Sequence, residues 1–80
     1  MKTVQIQYFA ILREAAGKDE ETLSTAATTP ADLYLELQAR YAFTFPLDAL
    51  RVSINARFAK MHDPLQSDDR ISFIPPVAGG

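Results

Sequence analysis

The sequence predicts an α+β fold: a mixed sheet of about five strands with one main helix packed on one of its faces. Two kinds of pattern lead to this prediction. Segments near both ends of the chain alternate between apolar and polar residues, as half-buried strands do, whereas residues 31–41 repeat apolar residues every four positions, as a helix does. A chain of 80 residues can bury only one hydrophobic core, so we expect a single domain.

The first strand places Val4, Ile6 and Tyr8 on one face, which suits a core, and leaves Phe9 on the opposite face with two glutamines. Residues 17–20 have the composition of a turn. The four residues after that turn are expected to return as a second strand, which would complete a hairpin.

The helix is expected to begin at Pro30. Thr29 can serve as its N-cap. Proline is tolerated at the first helical position, because a backbone N–H there would have no hydrogen-bond partner within the helix. Asp32 suits the positive end of the helix dipole. The apolar stripe consists of Leu33, Leu37 and Tyr41, and Pro46 marks a loop beyond the helix.

The last part of the chain predicts three more strands. Residues 51–55 alternate in polarity, residues 55–58 form a tight turn into a short strand, and residues 70–74 form the last strand. In that last strand, Phe73 is expected to point inward and Ile74 outward.

In chain order the elements are strand, strand, helix, strand, short strand and strand, an order that fits a β-grasp, ubiquitin-like arrangement. Pro75 and Pro76 end the last strand, because proline cannot donate to a sheet ladder. We therefore expect a β-grasp domain over residues 1–74 and a flexible Pro-Pro-Val-Ala-Gly-Gly tail over residues 75–80.

The composition argues against several classes of function. The formal charge is −2 and acids and bases are mixed along the chain, so no basic stripe is available to bind nucleic acid. No apolar run approaches the ~20 residues that span a bilayer, and no signal-peptide core is present, so the cytoplasm is the expected compartment. The absence of cysteine and the single histidine argue against a metal site, a disulfide or a thiol nucleophile.

Motifs of enzyme active sites are scarce, and no phosphate-binding loop or nucleophile elbow is present. The neighbouring acids Asp68 and Asp69 are expected to have a structural or solubilising role. His62 has no second catalytic partner and is expected to be a surface residue.

The C-terminal tail is the candidate reactive segment. Its two prolines form a stiff spacer, and side-chain size then falls through Val77 and Ala78 to two glycines. Gly79 and Gly80 lack a Cβ and fit a channel too narrow for other residues, and the unhindered Gly80 carboxylate suits activation followed by nucleophilic attack. Chain ends are also commonly frayed, so these residues alone leave an inert terminus open.

Phe9 and Ile74 are expected to point away from the core, and Phe58 in the short strand can join them. If the first and last strands are neighbours, Phe9 and Ile74 form an apolar patch near the start of the tail. Such a patch predicts a partner-binding surface. The alternative is that each is an ordinary exposed apolar residue.

Three segments resemble the small, sulfur-carrier subunits of molybdopterin synthase, in the MoaD/ThiS-like, ubiquitin-related family. They are residues 8–17 (YFAILREAAG), residues 52–55 (VSIN) and residues 71–80 (ISFIPPVAGG). The resemblance covers nearly the whole chain in the same order. Members of that family usually have Gly-Asp before the last strand, where this chain has Asp68-Asp69, which leaves the geometry of that turn open.

The resemblance implies a function for the tail. Gly80 would be adenylated by an ATP-dependent adenylyltransferase similar to ubiquitin-activating enzymes, and then converted to a thiocarboxylate. Inserted into the large subunit of molybdopterin synthase, it would give its sulfur to precursor Z (cyclic pyranopterin monophosphate) to form the molybdopterin dithiolene. The chain itself would bind neither cofactor nor metal, because the activating enzyme uses the ATP and the large subunit holds the active site. The family also implies a heterotetramer of two large and two small subunits.

The resemblance also implies roles for individual residues. Gly80 would be the reacting residue, and Val77, Ala78 and Gly79 would enter the channel with it. The residues implied to dock on a partner, or to support those that do, are Phe9, Arg13, Phe58, Phe73 and Ile74.

Three alternatives remain open at this stage. The chain could carry sulfur for the synthesis of the thiamine thiazole instead, with the same fold and tail chemistry. It could be a non-catalytic β-grasp interaction module with an inert tail, or Gly80 could be conjugated to lysines of other proteins, as ubiquitin is.

Overall fold

The computed structural model of the chain describes residues 1–76. These residues form five strands, two α-helices and a short 3₁₀ helix. The strands are β1 (Lys2–Tyr8), β2 (Glu20–Thr25), β3 (Arg51–Ile54), β4 (Arg57–Ala59) and β5 (Arg70–Ile74). The helices are α1 (Ala10–Ala16), α2 (Pro30–Tyr41) and the 3₁₀ helix Leu47–Ala49.

The five strands form one mixed sheet in the order β2-β1-β5-β3-β4. β1 and β5 run parallel at its centre, and the other neighbouring strands are antiparallel. The predicted sheet of about five strands is confirmed, and the first and last strands of the chain are indeed neighbours.

The core lies between the inner face of the sheet and α2. Val4, Ile6 and Tyr8 of β1 are buried, as their alternation predicted. Phe73 of β5 is fully buried, and Val52 of β3 pairs with it across the sheet. Burying large apolar side chains is the main favourable term in the folding of such a small domain.

α2 begins as the sequence predicts. The Thr29 hydroxyl accepts a hydrogen bond from the Asp32 N–H at 3.2 Å, and Pro30 occupies the first helical position. The predicted stripe is buried at Leu33 and Leu37 and half-buried at Tyr41, at the end of the helix.

The sequence patterns did not predict the helix α1. Leu12 is its only buried residue, so it carries no apolar stripe that recurs at helical spacing. Its signals are the composition Ala-Ile-Leu-Arg-Glu-Ala-Ala, which favours helix, and the glycine that follows it. Gly17 adopts φ 75, and its N–H donates to the Arg13 carbonyl at 2.9 Å, which ends the helix.

The two neighbouring acids before β5 have a structural role. Asp68 adopts φ 71, a left-handed conformation that glycine takes freely and that aspartate tolerates better than most residues. The Asp69 carboxylate accepts hydrogen bonds from the Asn55 amide at 2.9 Å and from the Gln66 N–H at 2.8 Å. The turn therefore has the backbone conformation that glycine favours, although Asp68 stands where the Gly-Asp pattern has glycine.

Candidate functional site

An apolar groove lies where β5 ends. We call it the tail-root groove, because it adjoins the residues from which the C-terminal tail departs. It is lined by Phe9, Ala10, Ile11, Phe45, Ile74, Pro75 and Pro76. None of these residues is charged.

The parallel pairing of β1 and β5 brings Phe9 and Ile74 to this groove. Tyr8 and Phe73 are register partners at the ends of the two strands, so the next residue of each strand lies at the same edge of the sheet. The prediction that Phe9 and Ile74 lie near each other is confirmed. One detail differs: β1 ends at Tyr8, and Phe9 is the N-cap of α1. Its backbone is still extended (φ −127, ψ 149), so the alternation of the strand continues through it.

Several side chains in the groove are open to solvent. Phe9 is 38% exposed and Ile11 46% exposed, whereas Ile74 is half-buried. Large apolar side chains that remain accessible together are characteristic of surfaces that bind partners.

α1 and the loop after α2 supply the walls of the groove that the sequence analysis missed. α1 starts directly after Phe9 and so places Ile11 beside it. Phe45 comes from the loop after α2, and its carbonyl accepts a hydrogen bond from the Tyr34 hydroxyl at 2.6 Å. In the sequence, Phe45 is distinguished only by its position directly before Pro46.

The other residues implied to dock on a partner lie elsewhere. Phe58 is 77% exposed on β4 and is not among the residues that line the groove. Its register partner is Ser53, which in turn pairs with Ser72, so Phe58 shares the outer face of the sheet with Ile74. Arg13 is exposed on α1 and forms a loose ion pair with Asp19, at 3.7 Å between Nε and Oδ1.

Phe73 requires a correction. Its side chain is completely buried between the sheet and α2, with its ring 5.3 Å from that of Tyr34. Because a buried ring cannot touch a partner, Phe73 is not a docking residue. It can only support the groove from within the core.

A polar cluster lies where β1, β2 and the end of α2 meet. The Glu21 carboxylate accepts hydrogen bonds from the hydroxyls of Tyr8 and Tyr41, the latter at 2.6 Å, and the Lys18 ammonium is 3.7 Å away. Burial raises the pKa of Glu21, but the tyrosine hydrogen bonds and the charge of Lys18 outweigh it, so the pKa lies below its ordinary value. Burial and the same carboxylate raise the pKa of Tyr8. The cluster satisfies buried polar groups and stabilises the fold.

The tail residues Val77, Ala78, Gly79 and Gly80 lie outside the described residues, so the predicted reacting group has no position here. Within residues 1–76, no group of three or more histidine, aspartate or glutamate side chains is arranged to hold a metal ion. No helix in this part of the chain is long and apolar enough to cross a membrane.

The fold is the ubiquitin-like β-grasp that the sequence predicts, and it carries an apolar groove at Pro75 and Pro76, directly after the last strand. The model of the ThiS family matches residues 6–80, and the chain belongs to that family.

Similar proteins point in more than one direction. The chain is 28% identical to the molybdopterin synthase sulfur carrier subunit of Escherichia coli (strain K12), over 96% of this chain and 99% of that protein. It is 27% identical to small archaeal modifier protein 1 of Methanosarcina acetivorans, with a TM-score of 0.78 over 100% of this chain and 98% of that one. A chain in the complex of subunits 1 and 2 of molybdopterin-converting factor from Helicobacter pylori 26695 has the same fold. That match has a TM-score of 0.67 at 23% identity, covering 98% of this chain and 99% of that one.

Proposed function

We propose that this chain is the sulfur-carrier subunit of a molybdopterin synthase and that Gly80 carries the sulfur. The observation that carries the proposal is the exposed apolar groove at the root of a tail that ends in Gly-Gly. Membership of the ThiS family and the name of the Escherichia coli relative support it.

The length of the tail connects the groove to the chemistry. Four residues follow Pro76, and a fully extended chain spans at most about 3.6 Å per residue, or about 14 Å for the four. An enzyme that encloses Gly80 in its active site therefore brings its own surface close to the tail-root groove. The groove can then provide the affinity while the tail provides the reacting atom.

The reaction takes place in three steps. An adenylyltransferase joins the Gly80 carboxylate to the AMP moiety of ATP and releases pyrophosphate, which turns a poor acylating group into one with a good leaving group. A sulfur donor then displaces AMP and leaves a thiocarboxylate. On the large synthase subunit, in a heterotetramer, the thiocarboxylate gives its sulfur to precursor Z, and hydrolysis regenerates the Gly80 carboxylate. Each charged carrier supplies one of the two sulfurs of the dithiolene. This assignment needs no cysteine and no resident cofactor on the chain, because the sulfur is carried by the main-chain terminus.

Intact-mass spectrometry of the protein from cells that make molybdenum cofactor tests the proposal. We expect a fraction heavier by the difference between sulfur and oxygen, located in the C-terminal peptide. Accurate mass must separate it from oxidation of Met1 or Met61, which adds one oxygen. A tail that stays unmodified after incubation with ATP, a sulfur donor and the adenylyltransferase would contradict a carrier role.

The groove has its own test. We expect the double variant Phe9→Ala with Ile74→Ala to bind the purified large subunit at least about tenfold more weakly, as loss of a central apolar contact does. The matched control is Leu35→Ala, since Leu35 is a similarly exposed apolar residue that does not line the groove. If the double variant and the unaltered protein bind the large subunit equally well, the groove is not a binding surface for that subunit.

A second candidate function is conjugation of Gly80 to lysines of other proteins. The likeness to an archaeal modifier protein favours it. Peptides that carry a Gly-Gly remnant on lysine, found only in cells that express the full-length chain, would identify this activity. Carriage of sulfur for the thiamine thiazole remains the alternative within the carrier class, and complementation of mutants in the two pathways distinguishes it.

A further inference from the structure

The loop after α2 forms one wall of the tail-root groove, although it is far in sequence from both Phe9 and the tail. Phe45 lines the groove, and all the residues that line it with Phe45 are apolar. Its side chain is also partly buried against the core. Phe45 therefore connects the interior of the domain to the proposed partner surface.

Two contacts with Tyr34 hold this loop in place. Tyr34 is fully buried, and its ring stacks on that of Phe43 with 5.8 Å between the ring centroids. Its hydroxyl donates to the Phe45 carbonyl at 2.6 Å. A buried hydroxyl without an acceptor is costly, so this bond ties the backbone of Phe45 to α2.

We propose that Phe45 is a partner contact within the tail-root groove and that Tyr34 is the positioning residue that holds it there. The occupant is an apolar side chain of the large subunit that receives Gly80. This inference rests on the proposed function. It adds Phe45 as a partner contact and Tyr34 as a residue that sets the shape of the groove, and the sequence resemblance implied neither role.

Two observations select an apolar occupant. The groove offers no charged lining residue, so a charged side chain buried there would lose its hydration without gaining an ion-pair partner. The tail allows about 14 Å at most between Pro76 and the end of the chain. A protein that encloses Gly80 is thereby brought over the groove, and the contact is between two apolar surfaces.

The test compares four variants for binding to the purified large subunit, by calorimetry far below the unfolding temperature. We expect Phe45→Ala to raise Kd about tenfold and Phe45→Leu, which keeps an apolar wall, to recover most of that loss. We expect Tyr34→Phe, which removes only the hydroxyl, to raise Kd about threefold. Tyr41→Phe is the control, because it also removes a hydroxyl hydrogen bond in α2, to Glu21, and Tyr41 does not line the groove; its Kd should be unchanged.

A purely structural role would lower the unfolding temperature without changing Kd, because nearly all the protein stays folded at the temperature of the binding measurement. If Phe45→Ala keeps its Kd while the Phe9 and Ile74 double variant loses affinity, the contact is overturned and the proposed function stands. If Phe45→Ala weakens binding but Tyr34→Phe does not, the positioning role is overturned. If the unaltered chain does not bind the large subunit, the proposed function fails and this inference fails with it.

Discussion

At the scale of single residues, Glu21 carries a charge that its neighbours stabilise. Its carboxylate accepts hydrogen bonds from Tyr8 and Tyr41 and faces Lys18. We expect Glu21→Gln to lower the free energy of unfolding at pH 7 by about 1–2 kcal/mol, because hydrogen bonds to a charged acceptor are stronger than those to an amide. Urea denaturation measures the change.

The same substitution should change the response to acid. The pKa of the Glu21 carboxyl is lower in the folded chain than its ordinary value of 4.5. The stabilisation that this carboxylate contributes is therefore complete above pH 4.5 and is lost as the pH falls through the folded pKa. We expect the free energy of unfolding of Glu21→Gln to fall less steeply between about pH 5 and 3. Glu20→Gln is the control, since Glu20 is the exposed neighbour in β2. Parallel acid limbs for Glu21→Gln and the unaltered protein would contradict this explanation.

At the scale of elements, α2 ends in an unfavourable backbone conformation. Ala42, its C-cap, has φ 57 and ψ 39, a left-handed conformation that costs a non-glycine residue about 1–2 kcal/mol. Ala42 is exposed, so its methyl group packs against little. We expect Ala42→Gly to stabilise the domain by about 0.5–1 kcal/mol, after allowance for the greater flexibility of glycine in the unfolded chain.

Ala39→Gly is the matched control for that prediction. Ala39 is also exposed but lies within α2, where the same change should destabilise the domain by about 1 kcal/mol. The two substitutions should therefore shift the midpoint of urea denaturation in opposite directions. A lower midpoint for Ala42→Gly would show that the conformation of the C-cap is not a source of strain.

At the scale of the whole molecule, the fold and the proposed chemistry belong to different parts of the chain. Within residues 1–76, the sheet runs from Lys2 to Ile74 and the core residues lie between Val4 and Phe73. We expect a chain truncated after Pro76 to keep its free energy of unfolding within about 0.5 kcal/mol, as changes away from the core do. The truncated chain should acquire no sulfur. A substantial loss of stability, measured by thermal unfolding, would mean that the tail is part of the folded domain.

The sequence by itself determined the features that depend on a few neighbouring residues. Thr29 and Pro30 start α2 because capping is decided within one helical turn, and alternation assigns Val4, Ile6 and Tyr8 to the core. The family resemblance, also present in the sequence alone, supplied the chemistry assigned to Gly80. α1 was missed although its signals are local, because helix propensity without an apolar stripe is a weak indicator.

Only the tertiary structure decided which distant segments meet. The parallel pairing of β1 with β5 brings Phe9 and Ile74 to one groove, and the loop after α2 brings Phe45 to the same groove. The tertiary structure also placed Phe58 away from the groove. Such contacts depend on how the whole domain buries its apolar surface at once, a sum over residues far apart in the chain that no local pattern contains.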